Sequence, residues 1–431
     1  MIRHNSPWPV LEETFKELVP LWQDYPNVLR VMRQAFIDSL VGSLSWPEKK
    51  PYLVTGDIKA MWLRDSSGQI EPYLRFIDQD SHLARVVQGI IRRQAKFVLI
   101  DPYANAFNPF PNGKTGVFWD QTAKNPWVFE RKFALDSLAY PVRLWWLYWK
   151  HTGDGQLIEE CLPAVKRIIE VMEVEQDHDL RSPYRFRRVF GGRRNTLAPG
   201  PVQRCGLVWS GFRPSDDAGR FCYNIPGQMM AAVSLDMIAE WSLSVFNDPT
   251  LAARARGIVH QLVEGIMTHG LVESSPGTLA WAYEVNGERQ HVIMDDANIP
   301  SLLSAPFLFF CSATHPVYLA TRRLVLSAAN PYWYRGSQLT GVGSAHTQKH
   351  RVWPMAVIMD AMTISNPDQA RKKLAAVAAA DANTGWIHES VDVNHPRNFS
   401  RDWFGWGNAL FAEAVLRLSG FPAISRPPLV Q

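Results

Sequence analysis

GWIHESVDVNHPRNFSRDWFGWGNALFAE, residues 385–413, crowds His388, Glu389, Asp392, His395, Arg401 and Asp402 among Trp386, Trp403 and Trp406. A helix does not need carboxylates, cations and indoles at this density in order to fold. A pocket needs them when it binds a polar ring and moves protons on it. The stretch therefore divides into a loop that carries chemistry and, from about residue 403, an apolar pattern that predicts a helix to about 418. Glu389 reads as the base of such a pocket. Its partner carboxylate is expected far upstream, at Arg213-Pro214-Ser215-Asp216-Asp217.

The same alternation extends outward along the chain. Asp57 to Asp65, after a short extended run at 51–55, opens a predicted helix to about Phe76. Residues 101–126 are irregular and rich in Asn, Pro and Gly, a long loop of the kind that usually carries function. A helix follows through Asp136, Tyr140 and Trp145-Trp146 to about His151. Turn signals and short β-like runs fill 181–212, and a helix is predicted from about Pro226 to Phe246. Met294–Pro300 leads into an apolar helix to Phe310, and the turn-rich stretch 331–350 into one at 353–363. Two helical patterns in 8–46 and others at 80–100, 156–175, 250–268, 315–328 and 367–379 complete about a dozen. Short turns and long motif-bearing loops join them alternately, with no linker and no break in composition. That predicts a single all-α domain over residues 1–431, with small hairpins in its loops. Helical hairpins set in a ring would bring alternate loops to one face, where a pocket forms.

Composition narrows the function classes. Of 431 residues, 46% are hydrophobic, enough for a large core. Forty-five basic against 41 acidic residues leave +4, without a basic block. RRQAK (92–96) and RRVFGGRR (187–194) read as a solvated helix face and a hairpin, so no nucleic-acid partner is expected. Cys161, Cys205, Cys222 and Cys311 form no CxxC pair and read as reduced, mostly buried thiols. No apolar run of about 20 residues predicts a membrane span. The N-terminal MIRHNSPWPVLEETFKEL lacks the core of a signal peptide, so a cytoplasmic protein is expected, or one whose leader has been removed. Seventeen tryptophans either fill a helical core or wall a sugar site, because the axial C–H face of a pyranose is apolar.

Cofactor motifs fail one by one. Gly341-x-Gly343-x-x-His346 lacks the third glycine and follows no βαβ unit, and no GxxxxGK[ST] is present. His388-Glu389 is no zincin motif, because Asp392 stands where the second histidine belongs. Asp295-Asp296 matches no loop of alternating calcium ligands. Asn398-Phe399-Ser400 accepts a glycan only in a secreted protein. No cofactor and no metal are expected.

Two carboxylates in an aromatic, polar pocket suit glycoside hydrolysis, in which one protonates the leaving oxygen and the other activates water or attacks. The acid must hold a proton near neutrality, and a like-charged neighbour such as the other member of Asp216-Asp217 helps it do so. The same pair also suits helix capping by Ser215 or Asp216. Arg64-Asp65 beside Trp62 reads either as a first-turn ion pair or as donors and acceptors matched to vicinal hydroxyls.

DIKAMWLRDSSGQ (57–69), FERKFALDSLAYP (129–141), WSGFRPSDDA (209–218), MDDANIPSLLS (294–304), GVGSAHT (341–347) and GWIHESVDV with RDWFGWGNALFAE (385–413) resemble glycoside hydrolase family 125. Six blocks in the family's order span nearly the whole chain. The resemblance implies an (α/α)6 toroid and an exo-acting, inverting, metal-independent α-1,6-mannosidase whose substrate is an α-mannoside oligosaccharide or glycan. Carried over, Glu389 becomes the base and Asp216 or Asp217 the acid, Asp216 being favoured. Arg64, Asp65, Gln69, Arg213, Asp295, Asn298, His346 and Arg401 become hydroxyl-binding residues, and Trp62, Trp119, Trp403 and Trp406 walls. The alternatives are a related toroid cutting another α-linkage, an inactive mannoside-binding protein, and a metal-dependent mannosidase.

Overall fold

Prolines and short polar caps mark where the helices begin. In the computed structural model, which describes residues 7–190, 193–196 and 202–431, α1 (Pro9–Leu21) and α2 (Pro26–Arg33) both open on proline. There the missing N–H costs nothing and φ is already helical. A π turn at Gln34–Asp38 carries α2 into α3 (Ser39–Ser43). Next come α4 (Leu63–Ile70), α5 (Ser81–Ile100), α6 (Asp136–Thr152), α7 (Gly155–Glu175) and the single turn α8 (His178–Arg181). They are followed by α9 (Ile225–Ser244), α10 (Pro249–His269), α11 (Pro316–Val325), α12 (Pro354–Thr363), α13 (Pro367–Ala379) and α14 (Gly405–Leu418). Asp80, Asp154, Asn224, Asp248 and Asn366 each accept a backbone N–H of the helix they precede.

The helices form two concentric rings. Inside, α4 packs on α6, α6 on α9, α9 on the 3₁₀ turn Leu302–Ser304, that turn on α12, α12 on α14, and α14 again on α4. Outside stand α2 with α3, then α5, α7, α10, α11 and α13, each against inner neighbours. This is the (α/α)6 toroid. Inner members are buried all round: every residue of α4 is buried, its polar side chains included, as is α14 from Gly405 to Leu416. Outer members are amphipathic: α10 buries Leu251, Ala255, Ile258, Leu262 and Ile266 at helical spacing. Ring closure depends on Gly68, where a Cβ would stand 2.1 Å from Trp406 Nε1. None of the described helices is long and apolar enough to cross a membrane.

The connections are unequal, and this positions the site. Inner-to-outer links are short, as at 153–154, 245–248 and 364–366. Outer-to-inner links are long and tied by small antiparallel sheets, among them Met61–Trp62 with Ala106–Phe107 and Val128–Glu130. Another joins Arg351–Val352, Ser390–Asp392 and Phe399–Ser400. All the long links enter the N-terminal ends of inner elements, so they gather on one face.

Two expected helices differ. The apolar run to Phe310 is only the 3₁₀ turn Leu302–Ser304 followed by turns. Pro306 has no N–H to donate, and Phe309 then turns at φ 67°. The helix expected from Asp57 to Phe76 begins only at Leu63, after the Met61–Trp62 strand. It gives way at Glu71–Phe76 to a 3₁₀ segment, where Pro72 removes a donor. The expected hairpin at 187–194 pairs Arg187–Phe190 with Arg193–Thr196, and its tip at 191–192 lies outside the described residues.

Candidate active site

Two charged residues open α4 inside the ring. Arg64, only 4% exposed, is shared among three carboxylates: Asp65 (Nε to Oδ1, 3.3 Å), Asp136 at the start of α6 (Nη1 to Oδ2, 3.2 Å) and Asp216 (Nη2 to Oδ2, 3.4 Å). Asn105 donates from one amide nitrogen to Glu130 Oε1 (2.7 Å) and Asp216 Oδ1 (3.1 Å). Lys132 Nζ pairs with Glu130 Oε2 at 2.9 Å. Asp216 sits at φ 64°, a backbone region that Asp and Asn tolerate better than most residues. The turn holding it is closed by Arg213 N to Asp217 O (2.8 Å), Asp216 N to Arg213 O (2.9 Å) and Ser215 Oγ to Asp296 Oδ2 (2.9 Å).

Glu389 approaches from the 380–404 connection. Ser400 Oγ donates to its Oε2 at 3.0 Å, and Arg401 Nη1 lies 3.8 Å from its Oε1. Arg401, itself at φ 57°, is anchored by Asp57 Oδ1 (Nε, 2.7 Å) and Thr55 O (Nη2, 3.0 Å). Gly56 lets the two strands meet: a Cβ there would lie 2.4 Å from Trp403 O.

Asp216 and Glu389 face one cavity of about 280 Å³, together with Arg64, Asp65, Glu130, Lys132, Asn298, His346 and Arg401. Trp62, Phe129, Trp353 and Phe404 supply its apolar walls, the first pair edge-to-face at 5.7 Å and the second at 6.1 Å. Two buried polar atoms on these walls, Trp62 Nε1 and Asn298 Oδ1, have no partner in the protein. A buried donor and a buried acceptor left open in this way suit hydroxyl groups of a ligand. A cavity of about 470 Å³ elsewhere is larger, but its Glu71, Arg75, Glu413 and Arg417 are already paired with one another or with neighbouring arginines. Size alone does not choose the site.

The carboxyls are tuned apart. Burial pushes Glu389 above the ordinary range, against the nearby charges of Arg401 and His346. Burial acts on Asp216 in the same sense, but Arg64, Lys132 and His346 outweigh it and hold the carboxyl below the ordinary range. Burial takes Asp136 up to about 6, with Arg64 opposing and Asp216 reinforcing, and it also raises Glu130. His346, 39% exposed at the rim, meets Asp217 Oδ1 at 3.1 Å. Burial opposes its charge, but Asp217, Glu389 and Asp216 raise its pKa to about 9; screening at so exposed a position weakens this effect.

Of the expected site residues, Trp62, Arg64, Asp65, Asp216, Asn298, His346, Glu389 and Arg401 line the cavity. Asp217 stands beside it, holding His346. The others lie elsewhere. Gln69 ties Ser43 Oγ and Val54 O behind the wall. Arg213 is closed on Glu284 at 2.5 Å. Asp295, raised by burial to about 7, accepts from the backbone N–H groups of Leu302, Leu303 and Asp296. Trp403 donates to Ser39 Oγ and tilts against Trp386. Trp406 packs on Gly68 under Arg64. Trp119 is half exposed on the 101–126 loop. Sequence reasoning missed Asn105, Phe129, Glu130, Lys132, Asp136, Trp353 and Phe404. A signal was present in FERKFALDS, where Glu130 and Lys132 alternate along a strand, but charges before a helix read equally well as first-turn residues. Among the described residues no three His, Cys, Asp or Glu side chains are grouped so as to hold a metal ion.

Residues 25–416 match the family model described as metal-independent alpha-mannosidase (GH125). The Meiotically up-regulated gene 157 protein of Schizosaccharomyces pombe is 35% identical over 95% of this chain and 85% of its own length. A metal-independent α-mannosidase structure from Streptococcus pneumoniae, in a non-productive complex with α-1,6-mannobiose, superposes with a TM-score of 0.92. It is 37% identical over 96% of this chain and 99% of that one. A glucoamylase from Saccharomycopsis fibuligera shares the fold at a TM-score of 0.59, with 12% identity over 90% of this chain and 94% of its own.

Proposed function

This chain belongs to the metal-independent α-mannosidases of glycoside hydrolase family 125, and we propose that it removes terminal α-1,6-linked mannose with inversion, using Asp216 as general acid and Glu389 as general base. One observation carries the residue assignment: the two carboxyls face the same cavity, Asp216 held by Arg64 and Asn105 and Glu389 by Ser400 and Arg401. The α-1,6-mannobiose bound by the Streptococcus pneumoniae relative supports the linkage.

In this reading Glu389 takes a proton from water, and the water oxygen bonds to the anomeric carbon. On the opposite side the bond from that carbon to the glycosidic oxygen breaks as Asp216 protonates the departing oxygen. The product is β-mannose and an alcohol. Arg64, Asp65, Asn298, His346 and Arg401 orient hydroxyls, while Trp62 and Phe404 shield the ring from water. Raising Glu389 strengthens it as a base. Asp216, by contrast, is held low in the free enzyme, so the productive protonation state is a minority form at neutral pH. An entering sugar displaces water from Asp216 and favours its neutral form.

Kinetics of three variants test the assignment. Glu389→Gln and Asp216→Asn should each lower kcat by about 10²–10⁴-fold, with the circular dichroism and melting midpoint of the parent. Asp217→Asn, which weakens the contact to His346 and leaves Asp216 in place, should cost far less. Full activity in Glu389→Gln would overturn the base assignment, and a dead Asp217→Asn beside an active Asp216→Asn would move the acid by one residue.

A further inference from the structure

Beside the catalytic cavity lies a second, of about 480 Å³, between residues 113–126 and the strand Val128–Glu130. Phe129 and Glu130 border both, so the two cavities share a wall. The loop lies directly on that wall: Gly116 N donates to Phe129 O at 3.1 Å, and a Cβ on Gly116 would stand 2.6 Å from the Phe129 ring. On the outer side Phe118 is 82% exposed, an unusual placement for so large an apolar side chain. Thr115, Asp120, Thr122, Lys124 and Asn125 share the cavity with it. Asp120 is taken up by Arg188, and Thr122 by Arg131 and the Arg185 carbonyl, but an exposed aromatic face beside the Thr115 hydroxyl, the Lys124 ammonium and the Asn125 amide is the chemistry that meets a pyranose, apolar on its C–H face and polar around its edge. The catalytic cavity, about 280 Å³, falls below the roughly 300–1,000 Å³ of sites that enclose a drug-sized ligand. It accommodates the terminal sugar, and the rest of an oligosaccharide lies outside it.

The geometry points to a binding platform on this loop for mannosyl residues on the reducing side of the scissile bond, beyond the first leaving sugar, with Phe118 stacking on one of them. This rests on the α-mannosidase reading of the catalytic cavity and extends it to substrate length. The shared wall of Phe129 and Glu130 favours an oligosaccharide over a protein partner, because whatever occupies the second cavity adjoins what occupies the first.

The test compares the parent enzyme with Phe118→Ala on α-1,6-mannobiose and on a linear α-1,6-mannotetraose. Phe118 is exposed, so the variant should fold as the parent does. On the tetraose, kcat/KM should fall about three- to tenfold, the worth of one aromatic contact, and on the biose it should stay within about twofold. Equal losses on both substrates, or none on either, would overturn the platform and leave the catalytic reading intact. If the parent cleaves neither sugar, the linkage reading fails, and calorimetric titration with the same two sugars still decides. Tighter binding of the tetraose that Phe118→Ala abolishes supports the platform; indifference to length in both proteins refutes it.

Discussion

Arg64 is one guanidinium among Asp65, Asp136 and Asp216, and how it is divided sets the acidity of the site. Asp136 is ionised above about pH 6 and neutral below it. While ionised, it competes for Arg64 and adds a negative charge near Asp216, so it raises the Asp216 pKa. Asp136→Asn removes that charge only where it existed. The ratio of variant to parent kcat/KM should therefore be near one at pH 5 and drop about three- to tenfold by pH 7.5, corresponding to about half to one pKa unit on Asp216. A ratio constant across pH would mean that Asp136 has only a structural role. Since Asp216 is held low and Glu389 high, the parent's kcat/KM optimum should itself lie on the acid side of neutrality, which a pH profile with a neutral mannoside checks. At this scale the sequence pointed to the cavity lining where a charge stands in a long loop among indoles and cations, as with Glu389. It misled where a polar side chain holds the loop together. Arg213, Asp295 and Gln69 sit in the same motifs as the cavity residues, but their partners, Glu284, the 302–303 backbone and Val54 O, are far from them in sequence or hidden in the main chain.

Among elements, the weakest member of the inner ring is the 302–310 segment, which presents a 3₁₀ turn where its five counterparts present helices. Asp295 compensates by accepting from Leu302 N at 2.9 Å and Leu303 N at 3.1 Å. Asp295→Ala leaves these buried donors unpaired, at about 1–3 kcal/mol each. It should lower the melting midpoint measured by calorimetry while leaving KM of the folded fraction close to the parent's. A changed KM with unchanged stability would return Asp295 to the substrate site. Gly68→Ala should be harsher, since its Cβ meets the Trp406 indole and separates α4 from α14. Loss of folded protein is expected, or a marked fall in melting midpoint together with activity, because α4 carries Arg64. The periodicity revealed most helices to within a few residues, because Asp, Asn and Pro caps punctuate them. It failed at 302–310, where apolar composition outweighed Pro306, which removes a donor from the middle of the run.

At the scale of the whole molecule, the alternation of long and short connections was the legible part of the fold. Every motif lies in a long loop or runs from one into the inner helix it enters, short turns carried none, and ring closure brings the long loops to a single face. That closure is non-local: α4 meets α14 across nearly the entire chain, so no window of sequence contains it. Turnover should survive exhaustive treatment with a chelator, as expected of a metal-independent family; loss restored by a divalent ion would contradict this. The central claim is that water, activated by Glu389, attacks opposite a leaving group protonated by Asp216. The most direct test is an NMR time course of α-1,6-mannobiose hydrolysis, following the anomeric signals in the earliest minutes. β-Mannose appearing first, with the α-anomer growing in only by mutarotation, is the predicted result. α-Mannose appearing first would mean that a carboxylate attacks the sugar itself, and would contradict the account.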